Sequence, residues 1–293
     1  MFEGVHTALI TPFKNGTIDY SAVEKLVAMQ VENKIDGIVP LGTTGESPTL
    51  SFDEHREYIK RIVGLVGGRV KVIAGTGANA TEEAIWLSRE AEDAGVDAVL
   101  QVNPYYNKPT QRGLIAHFEA VAKSIRIPVI LYNIPSRTGV NFLPASIKEL
   151  LNRVDNVVAM KEASGDIVQM MELYELCNDR LTLLSGDDNI LLPFMAIGGK
   201  GIISVLSNLL PSDVKKVVAF YGQGKIGDAK NQFYRLLPLC RAMFLETNPI
   251  PIKAAMEMAG YCSAELRLPL VPLSDENRAK LRAAMLEYGV KLA

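Results

Sequence analysis

A lysine follows an apolar run near the middle of the chain, and this arrangement suggests carbonyl chemistry. Lys161 comes directly after the run Val157–Met160. A lysine that is partly removed from water can attack a carbonyl carbon as the free amine and form an imine. A lysine at this position could instead end a strand and reach solvent, or pair with Glu162. We therefore treat Lys161 as a candidate nucleophile.

A phenol and a guanidinium follow the preceding apolar run. Tyr132 ends the run Val129–Tyr132, and Arg137 lies in the segment Pro135–Gly139. A phenol beside an amine can transfer protons during imine formation, although an aromatic ring can also simply fill the end of a barrel. An arginine can bind a carboxylate through two parallel hydrogen bonds, although it can also form a surface ion pair.

Two more segments follow earlier apolar runs. Gly42–Glu46 reads Gly-Thr-Thr-Gly-Glu, and Tyr105 and Tyr106 are adjacent phenols. The glycines allow a tight turn with exposed backbone amides, and the threonines add hydroxyl donors, which suits a small carboxylate. A plain turn would have a similar composition. The combination of amine, phenols, guanidinium and anion-binding loop is more informative than any one of them.

Other motifs do not fit a functional site. The three histidines, His6, His55 and His117, show no paired spacing of metal ligands. Gly75–Ala80 matches a dinucleotide-binding loop, but no acidic residue ends the next apolar run to bind a ribose. The sequence therefore predicts chemistry that needs neither a metal ion nor a cofactor.

Short apolar runs alternate with amphipathic segments along most of the chain. Such runs are typical of parallel strands that are covered on both faces. Eight of them with right-handed connections predict a (β/α)8 TIM barrel, and an open doubly wound sheet is the competing architecture. The runs are Val5–Ile10, Ile38–Leu41, Val70–Ala74, Ala98–Val102, Val129–Tyr132, Val157–Met160, Leu181–Leu184 and Ile202–Val205. In this fold the active site forms at the carboxyl ends of the strands, where Lys161 and Tyr132 are expected.

The last part of the chain lacks a strand pattern. Helical stretches are predicted at Ile226–Met243, Ile252–Ala259 and Asp275–Tyr288. We expect a catalytic barrel over residues 1–225 and a C-terminal helical appendage over residues 226–293. Capping boxes, in which a serine and a glutamate satisfy exposed helix amides, are predicted at Ser21–Glu24 and Ser51–Glu54.

Composition excludes several classes of function. The formal net charge is −2, and no Lys/Arg-rich block favours nucleic acid. The three cysteines are an odd number without a CxxC spacing, which indicates neither disulfides nor zinc. No export signal is visible at the N-terminus, and no apolar run is long enough to cross a bilayer. The sequence predicts a soluble cytoplasmic protein that binds neither membrane nor nucleic acid.

These segments together resemble the dihydrodipicolinate synthase family of the N-acetylneuraminate lyase superfamily. The similarity extends over essentially the whole chain. Its most specific parts are the Gly-Thr-Thr-Gly-Glu and Pro-Ser-Arg-Thr-Gly motifs. The segments that carry it are Gly42–Glu46, Asn103–Tyr106, Tyr132–Gly139, Lys161–Ala163, Ser185–Asp188 and Asn248–Lys253.

The resemblance implies a reaction between pyruvate and L-aspartate 4-semialdehyde. Lys161 is expected to form an imine with pyruvate, and Tyr132, Thr43 and Tyr106 to form a proton relay. Thr44, Gly186 and Ile203 are expected near pyruvate, with Arg137 binding the carboxylate of the semialdehyde. The expected product is 4-hydroxy-tetrahydrodipicolinate, in the diaminopimelate route of lysine biosynthesis.

The resemblance also implies oligomers and an effector. Tyr106 is expected to reach the active site of a neighbouring subunit, in a homotetramer built from dimers. L-Lysine is an expected inhibitor. Its site would be formed by Ser47, His55, Asn79, Glu83 and Tyr105. Pro48 and Phe52 depart from the family pattern there, and ordinary polarity of a helix surface would explain His55 and Glu83 nearly as well.

Two other functions stay open at this point. A sister aldolase or lyase for a sialic acid or a 2-keto-3-deoxy sugar acid would share Lys161 and Tyr132 but not Arg137. A non-catalytic barrel could bind pyruvate or lysine as a sensor, although it would not need an activated amine. Turnover distinguishes these alternatives.

Overall fold

Eight parallel strands form a closed barrel in the computed structural model, which describes residues 2–293. Each strand pairs with the strands before and after it in the barrel, and the first strand, Gly4–Ala8, pairs with both Gly37–Val39 and Gly201–Ser204. The barrel strands are β1 (Gly4–Ala8), β4 (Gly37–Val39), β5 (Lys71–Gly75), β6 (Ala98–Val102), β7 (Val129–Asn133), β8 (Val157–Glu162), β9 (Thr182–Ser185) and β10 (Gly201–Ser204). The prediction of a (β/α)8 barrel is confirmed, and all eight predicted runs are strands.

Helices surround the barrel and continue beyond it. The helices are α1 (Tyr20–Glu32), α2 (Phe52–Val66), α3 (Thr81–Asp93), α4 (Gln111–Ser124), α5 (Pro135–Thr138), α6 (Pro144–Leu151), α7 (Ile167–Cys177), α8 (Leu191–Ala196), α9 (Pro211–Gly222), α10 (Ile226–Ala242), α11 (Ile250–Met258) and α12 (Asp275–Tyr288). The three C-terminal helices lie where the sequence predicts them. They share one apolar core with the outer face of the barrel, so the division at residue 226 stays a prediction.

Side chains of each strand point alternately into the barrel and towards the surrounding helices, which divides the apolar core into two layers. In β7, Ile130 and Tyr132 point into the barrel, whereas Val129 and Leu131 pack against the surrounding helices. Successive side chains of a strand point to opposite faces, which produces this division. The barrel interior is therefore a packed apolar cluster, and the polar groups lie at its rim.

One element of the fold has no counterpart among the predicted strands. A two-stranded hairpin, β2 (Phe13–Lys14) and β3 (Thr17–Ile18), follows β1. Asn15 and Gly16 form its turn, both with positive φ, of 54° and 77°. Asn-Gly is the favoured pair for such a turn, because both residues tolerate the left-handed conformation.

Helix starts agree only in part with the predicted capping boxes. The box at Ser51 and Glu54 is confirmed, with both reciprocal hydrogen bonds present. The box at Ser21 is wrong, because α1 begins at Tyr20 and the Asp19 side chain accepts from the amide of Ala22. An aspartate is as good a helix cap as a serine, and here it precedes the serine.

Candidate active site

Lys161 and Tyr132 lie side by side on neighbouring strands. They are paired in the register of β7 and β8, so both side chains point into the barrel near its carboxyl end. The Lys161 Nζ lies 4.0 Å from the centre of the Tyr132 ring. Only 6% of Lys161 and 5% of Tyr132 is exposed. The structure thus brings together the predicted amine and phenol.

The amine of Lys161 has no polar partner in the described chain. Within residues 2–293, no hydrogen bond or ion pair reaches its Nζ, so the alternative of a pair with Glu162 is wrong. Gly186, directly after β9, is closely packed beside it, because a Cβ there would lie 2.7 Å from the Ala163 Cβ and 3.2 Å from the Lys161 Cε. Ile203, on β10, is fully buried in the same interior cluster. A lysine whose side chain is largely buried and whose amine is unpaired is suited to attack a small carbonyl compound.

A polar network that the sequence does not reveal lies on the other side of β8. The Glu162 carboxylate is fully buried and accepts hydrogen bonds from Asn133 Nδ2 at 3.1 Å and from the Ser164 amide at 2.6 Å. Burial raises the pKa of Glu162, and the hydrogen bonds from Asn133 and Ser164 oppose this shift. Asn133 and Glu162 directly follow Tyr132 and Lys161, so this network fixes the ends of both strands.

The glycine-threonine loop lies beside a residue from the C-terminal part of the chain. Thr44 is buried, and its hydroxyl accepts a hydrogen bond from Asn248 Nδ2 at 3.0 Å. Arg137 Nη2 donates to the backbone oxygen of Asn248, also at 3.0 Å. The buried Asn248 therefore joins two groups that were predicted to bind carboxylates. Asn248 lies in a segment that carries the family resemblance, but no role in the site was predicted for it.

The Arg137 guanidinium is available for a ligand. Arg137 lies in α5, and its side chain is exposed apart from the contact with Asn248. No carboxylate in residues 2–293 pairs with it, so the alternative of a surface ion pair is wrong. The short helix begins with Pro135, whose fixed φ suits the first helical position.

The structure does not bring Tyr106 together with Tyr132 and Thr43 within one chain. Tyr106 is 89% exposed and has a φ of 65°, and Tyr105 beside it is 38% exposed. Thr43 is half-buried in the loop after β4. An almost fully exposed phenol is consistent with action on a second subunit, which stays a prediction.

A cavity of about 560 Å³ extends from the catalytic end to the predicted effector site. Thr43, Tyr132 and Arg137 line one part of it. Ser47, His55, Glu83 and Tyr105 line another part. Asn79 is half-buried nearby, and its backbone oxygen accepts from Asn107 Nδ2.

His55 lies buried in the wall of this cavity. Its Nε2 lies 3.0 Å from the backbone oxygen of Gly75, and its Nδ1 has no partner in the described residues. Burial lowers the pKa of His55 to about 4, so the ring is neutral at pH 7. Next to it, Phe52 is 54% exposed and packs edge-on against Trp86.

No grouping of three or more histidines, cysteines, aspartates or glutamates within residues 2–293 could hold a metal ion. None of the helices in this range is long and apolar enough to span a membrane.

Comparison with known proteins gives consistent matches over the whole chain. The model of the dihydrodipicolinate synthetase family matches residues 1–287. A 4-hydroxy-tetrahydrodipicolinate synthase from Pelobacter propionicus is 49% identical over 290 residues, which cover 99% of this chain and 100% of the relative. The crystal structure of dihydrodipicolinate synthase from Aquifex aeolicus has a TM-score of 0.98 and 46% identity, covering 99% of each chain. The pyruvate complex of the Acinetobacter baumannii enzyme has a TM-score of 0.97 and 40% identity, covering 99% of this chain and 100% of that one.

Proposed function

Because this chain belongs to the dihydrodipicolinate synthetase family, we propose that it condenses pyruvate with L-aspartate 4-semialdehyde to 4-hydroxy-tetrahydrodipicolinate. This lyase reaction belongs to the diaminopimelate route of lysine biosynthesis, for which we expect a cytoplasmic location. One observation carries the proposal: the buried, unpaired amine of Lys161 lies against Tyr132 at the catalytic end of the barrel. The sugar-acid lyase is not favoured, because full-length relatives at 49% identity are synthases.

The first half of the reaction uses Lys161. Its amine attacks the keto carbon of pyruvate, and loss of water gives an imine. Removal of a methyl proton then gives an enamine, whose terminal carbon attacks the aldehyde carbon of the second substrate, and the resulting alkoxide takes up a proton. The amine of the second substrate then attacks the imine carbon and displaces Lys161, which releases the cyclic product and restores the free lysine. Gly186 would lie beside pyruvate, because its position is next to the Lys161 side chain, where a Cβ would be 3.2 Å from the Lys161 Cε. Thr44, Ile203 and the amides of the Gly42–Glu46 loop would surround its carboxylate.

Proton transfer in these steps is assigned to Tyr132, Thr43 and Tyr106. The hydroxyls of Tyr132 and Thr43 have no hydrogen-bond partner in residues 2–293, which leaves them available for a relay. Tyr106 would complete the relay from a neighbouring subunit, because it is almost fully exposed in its own chain. We therefore expect a homotetramer built from dimers, in which the dimer is the catalytic unit.

Arg137 is assigned to the carboxylate of the semialdehyde. Its guanidinium donates one hydrogen bond to Asn248 but forms no ion pair in residues 2–293, and it can form two parallel hydrogen bonds with this group. Replacing it by alanine should raise the KM for the semialdehyde more than that for pyruvate.

L-Lysine is proposed as an inhibitor that binds between Ser47, His55, Asn79, Glu83 and Tyr105. Glu83 supplies a carboxylate for an ammonium group, and the site shares the cavity that reaches Tyr132 and Arg137. A structure of the Cyanidioschyzon merolae enzyme, which is 39% identical, has lysine bound. Lysine titrated into the assay should lower the rate, and flat rates at millimolar lysine would exclude this site.

Borohydride trapping tests the central step. Reduction in the presence of pyruvate should attach a three-carbon acid to Lys161 alone, as read by mass spectrometry. The Lys161→Ala variant should carry no label. Labelling at another lysine, or no labelling, would overturn the imine mechanism and favour the sensor.

The Tyr106→Phe variant tests the relay across subunits. Turnover should fall, while labelling of Lys161 by pyruvate and borohydride remains. Unchanged turnover would remove Tyr106 from the relay.

A further inference from the structure

A buried ion pair joins the loop after β4 to the C-terminal helices. The Lys253 Nζ, in α11, lies 2.6 Å from Glu46 Oε1, and both side chains are fully buried. The other carboxylate oxygen, Oε2, accepts the backbone amide of Arg267 at 3.1 Å. Both oxygens of Glu46 are therefore held by residues that follow α10 in the chain.

The cationic side of this pair is itself fixed. The Lys253 Nζ lies 4.3 Å from the centre of the Phe13 ring, and the Arg267 guanidinium lies 4.4 Å from the same ring. Arg267 also donates two hydrogen bonds to Glu54, at 2.8 Å and 2.6 Å. The two residues that contact Glu46 are therefore held in place themselves. Both Lys253 and Arg267 pack against the N-terminal hairpin, and Arg267 also binds α2.

Glu46 ends the Gly42–Glu46 loop in a conformation that needs support. Its φ is 54°, in the left-handed region that residues other than glycine seldom adopt. Gly45 before it is closely packed, because a Cβ there would lie 2.9 Å from the Leu41 amide nitrogen. Movement of the Glu46 carboxylate would therefore be passed along the backbone to Thr44 and Thr43.

Stability alone does not account for this arrangement. A buried ion pair contributes little net stability compared with well-packed apolar side chains, because both charges lose their hydration. Its hydrogen bonds do, however, fix direction and distance. The element that these hydrogen bonds hold is the Gly42–Glu46 loop, which is the loop proposed to bind the pyruvate carboxylate.

We propose that Glu46 and Lys253 are positioning residues, whose ion pair holds the Gly42–Glu46 loop in the shape that binds the carboxylate of the keto acid. This role rests on the proposed function, in which pyruvate forms an imine with Lys161. The C-terminal helices then contribute to substrate affinity without touching the substrate.

The test uses a variant that removes both charges together. The pair Glu46→Gln with Lys253→Met leaves no unpaired buried charge and nearly keeps the side-chain volumes. Borohydride trapping is measured against pyruvate concentration for this variant and for the unmodified protein. We expect half-maximal labelling of Lys161 to require about tenfold more pyruvate, with labelling at saturation still complete.

A matched control comes from an exposed pair in the same region. Arg278 Nη2 lies 2.6 Å from Glu257 Oε2, and both side chains are about 40% exposed. Glu257→Gln with Arg278→Met should leave the half-saturating pyruvate concentration unchanged. If this control variant showed an equal rise in the half-saturating pyruvate concentration, the effect would come from general destabilisation of the C-terminal helices, and the proposal would be overturned.

The possible results distinguish a failure of the positioning role from a failure of the proposed function. Labelling in the unmodified protein together with an unchanged half-saturating concentration in the buried-pair variant overturns the positioning role alone. Absence of label in the unmodified protein overturns the proposed function and the positioning role together. If the buried-pair variant does not fold, Glu46→Asp serves instead, because it keeps the charge but shortens the side chain. It should shift half-saturation about threefold, and no shift would overturn the proposal.

Discussion

Lys161 and Lys253 are both buried lysines, but their surroundings differ. Lys161 is 6% exposed and has no ion-pair partner in residues 2–293. Lys253 is fully buried and lies 2.6 Å from the Glu46 carboxylate. Burial lowers the pKa of Lys253, and the charge of Glu46 opposes this shift.

The comparison shows that burial alone does not identify a reactive amine. A lysine that forms an ion pair with a buried carboxylate uses its ammonium group for that contact, so its role is structural. A lysine without such a partner keeps its amine free for a substrate. What distinguishes Lys161 in the sequence is its place at the end of a barrel strand, because Lys253 lies in a helix.

Substitution of each lysine by methionine should separate activity from stability. Lys161→Met should lower turnover at least about a thousandfold, because the nucleophile is lost. Its urea unfolding midpoint should change little, because no carboxylate loses a partner. Strong destabilisation of this variant would show that Lys161 has a structural partner and would break the comparison.

The same substitution at Lys253 should act mainly on the fold. Lys253→Met leaves the Glu46 carboxylate buried and unpaired, which should lower the free energy of unfolding by about 3–5 kcal/mol. Adding Glu46→Gln should restore most of this loss. Urea unfolding at pH 7 of the single and double variants checks it, and equal stabilities of the two would contradict it.

Removal of one hydroxyl should sharpen the assignment of Lys161. Tyr132→Phe keeps a ring over the amine but removes the group that transfers protons. We expect turnover to fall by about a hundredfold, while trapping of pyruvate on Lys161 persists. If turnover and trapping fell together, Tyr132 would be acting by orienting the lysine.

Acid should remove the stability contributed by the ion pair between Glu54 and Arg267, which lies close to Lys253. We expect this effect to be smaller than those of the substitutions above. Hydrogen bonds from Arg267 lower the pKa of Glu54 from 4.5 to about 2. The unfolded chain therefore binds more protons in this interval, and the stability from the pair is lost as the pH falls from about 4.5 towards 2. Glu54→Gln should reduce this loss by about 1 kcal/mol or less, measured by urea unfolding across that range. The same change at the exposed Glu57, which has no ion pair in the described chain, should leave the loss unaltered.

Much of the fold was predictable because local patterns encode it. Parallel strands covered on both faces are continuous apolar runs, so all eight were visible. Because active sites of this fold lie at the carboxyl ends of the strands, Lys161 and Tyr132 were predicted to lie together at that end of the barrel. The pairing of Tyr132 with Lys161 in the strand register confirms this prediction. The hairpin at Asn15 and Gly16 was also encoded, by its turn residues, but its strands of two residues are too short to show a period.

The support of the site was not predictable in this way. Asn248 contacts Thr44 across 204 residues, and Lys253 contacts Glu46 across 207 residues. Pairings at such separation leave no periodic trace in either segment. The position of Tyr106 is a further example, since a phenol that faces outward gains meaning only from a second chain.

The long separation between Glu46 and its partners also has a consequence for biosynthesis. The ribosome must add 207 more residues after Glu46 before Lys253 exists, and 221 before Arg267 does. At about 5–20 residues per second this takes about 10–40 s. During that interval the emerging barrel has the first strands and the glycine-threonine loop but not the groups that hold it. If the ion pair has the positioning role proposed above, full affinity for the keto acid arises only after Lys253 and Arg267 have been added, whatever the order in which the strands pair.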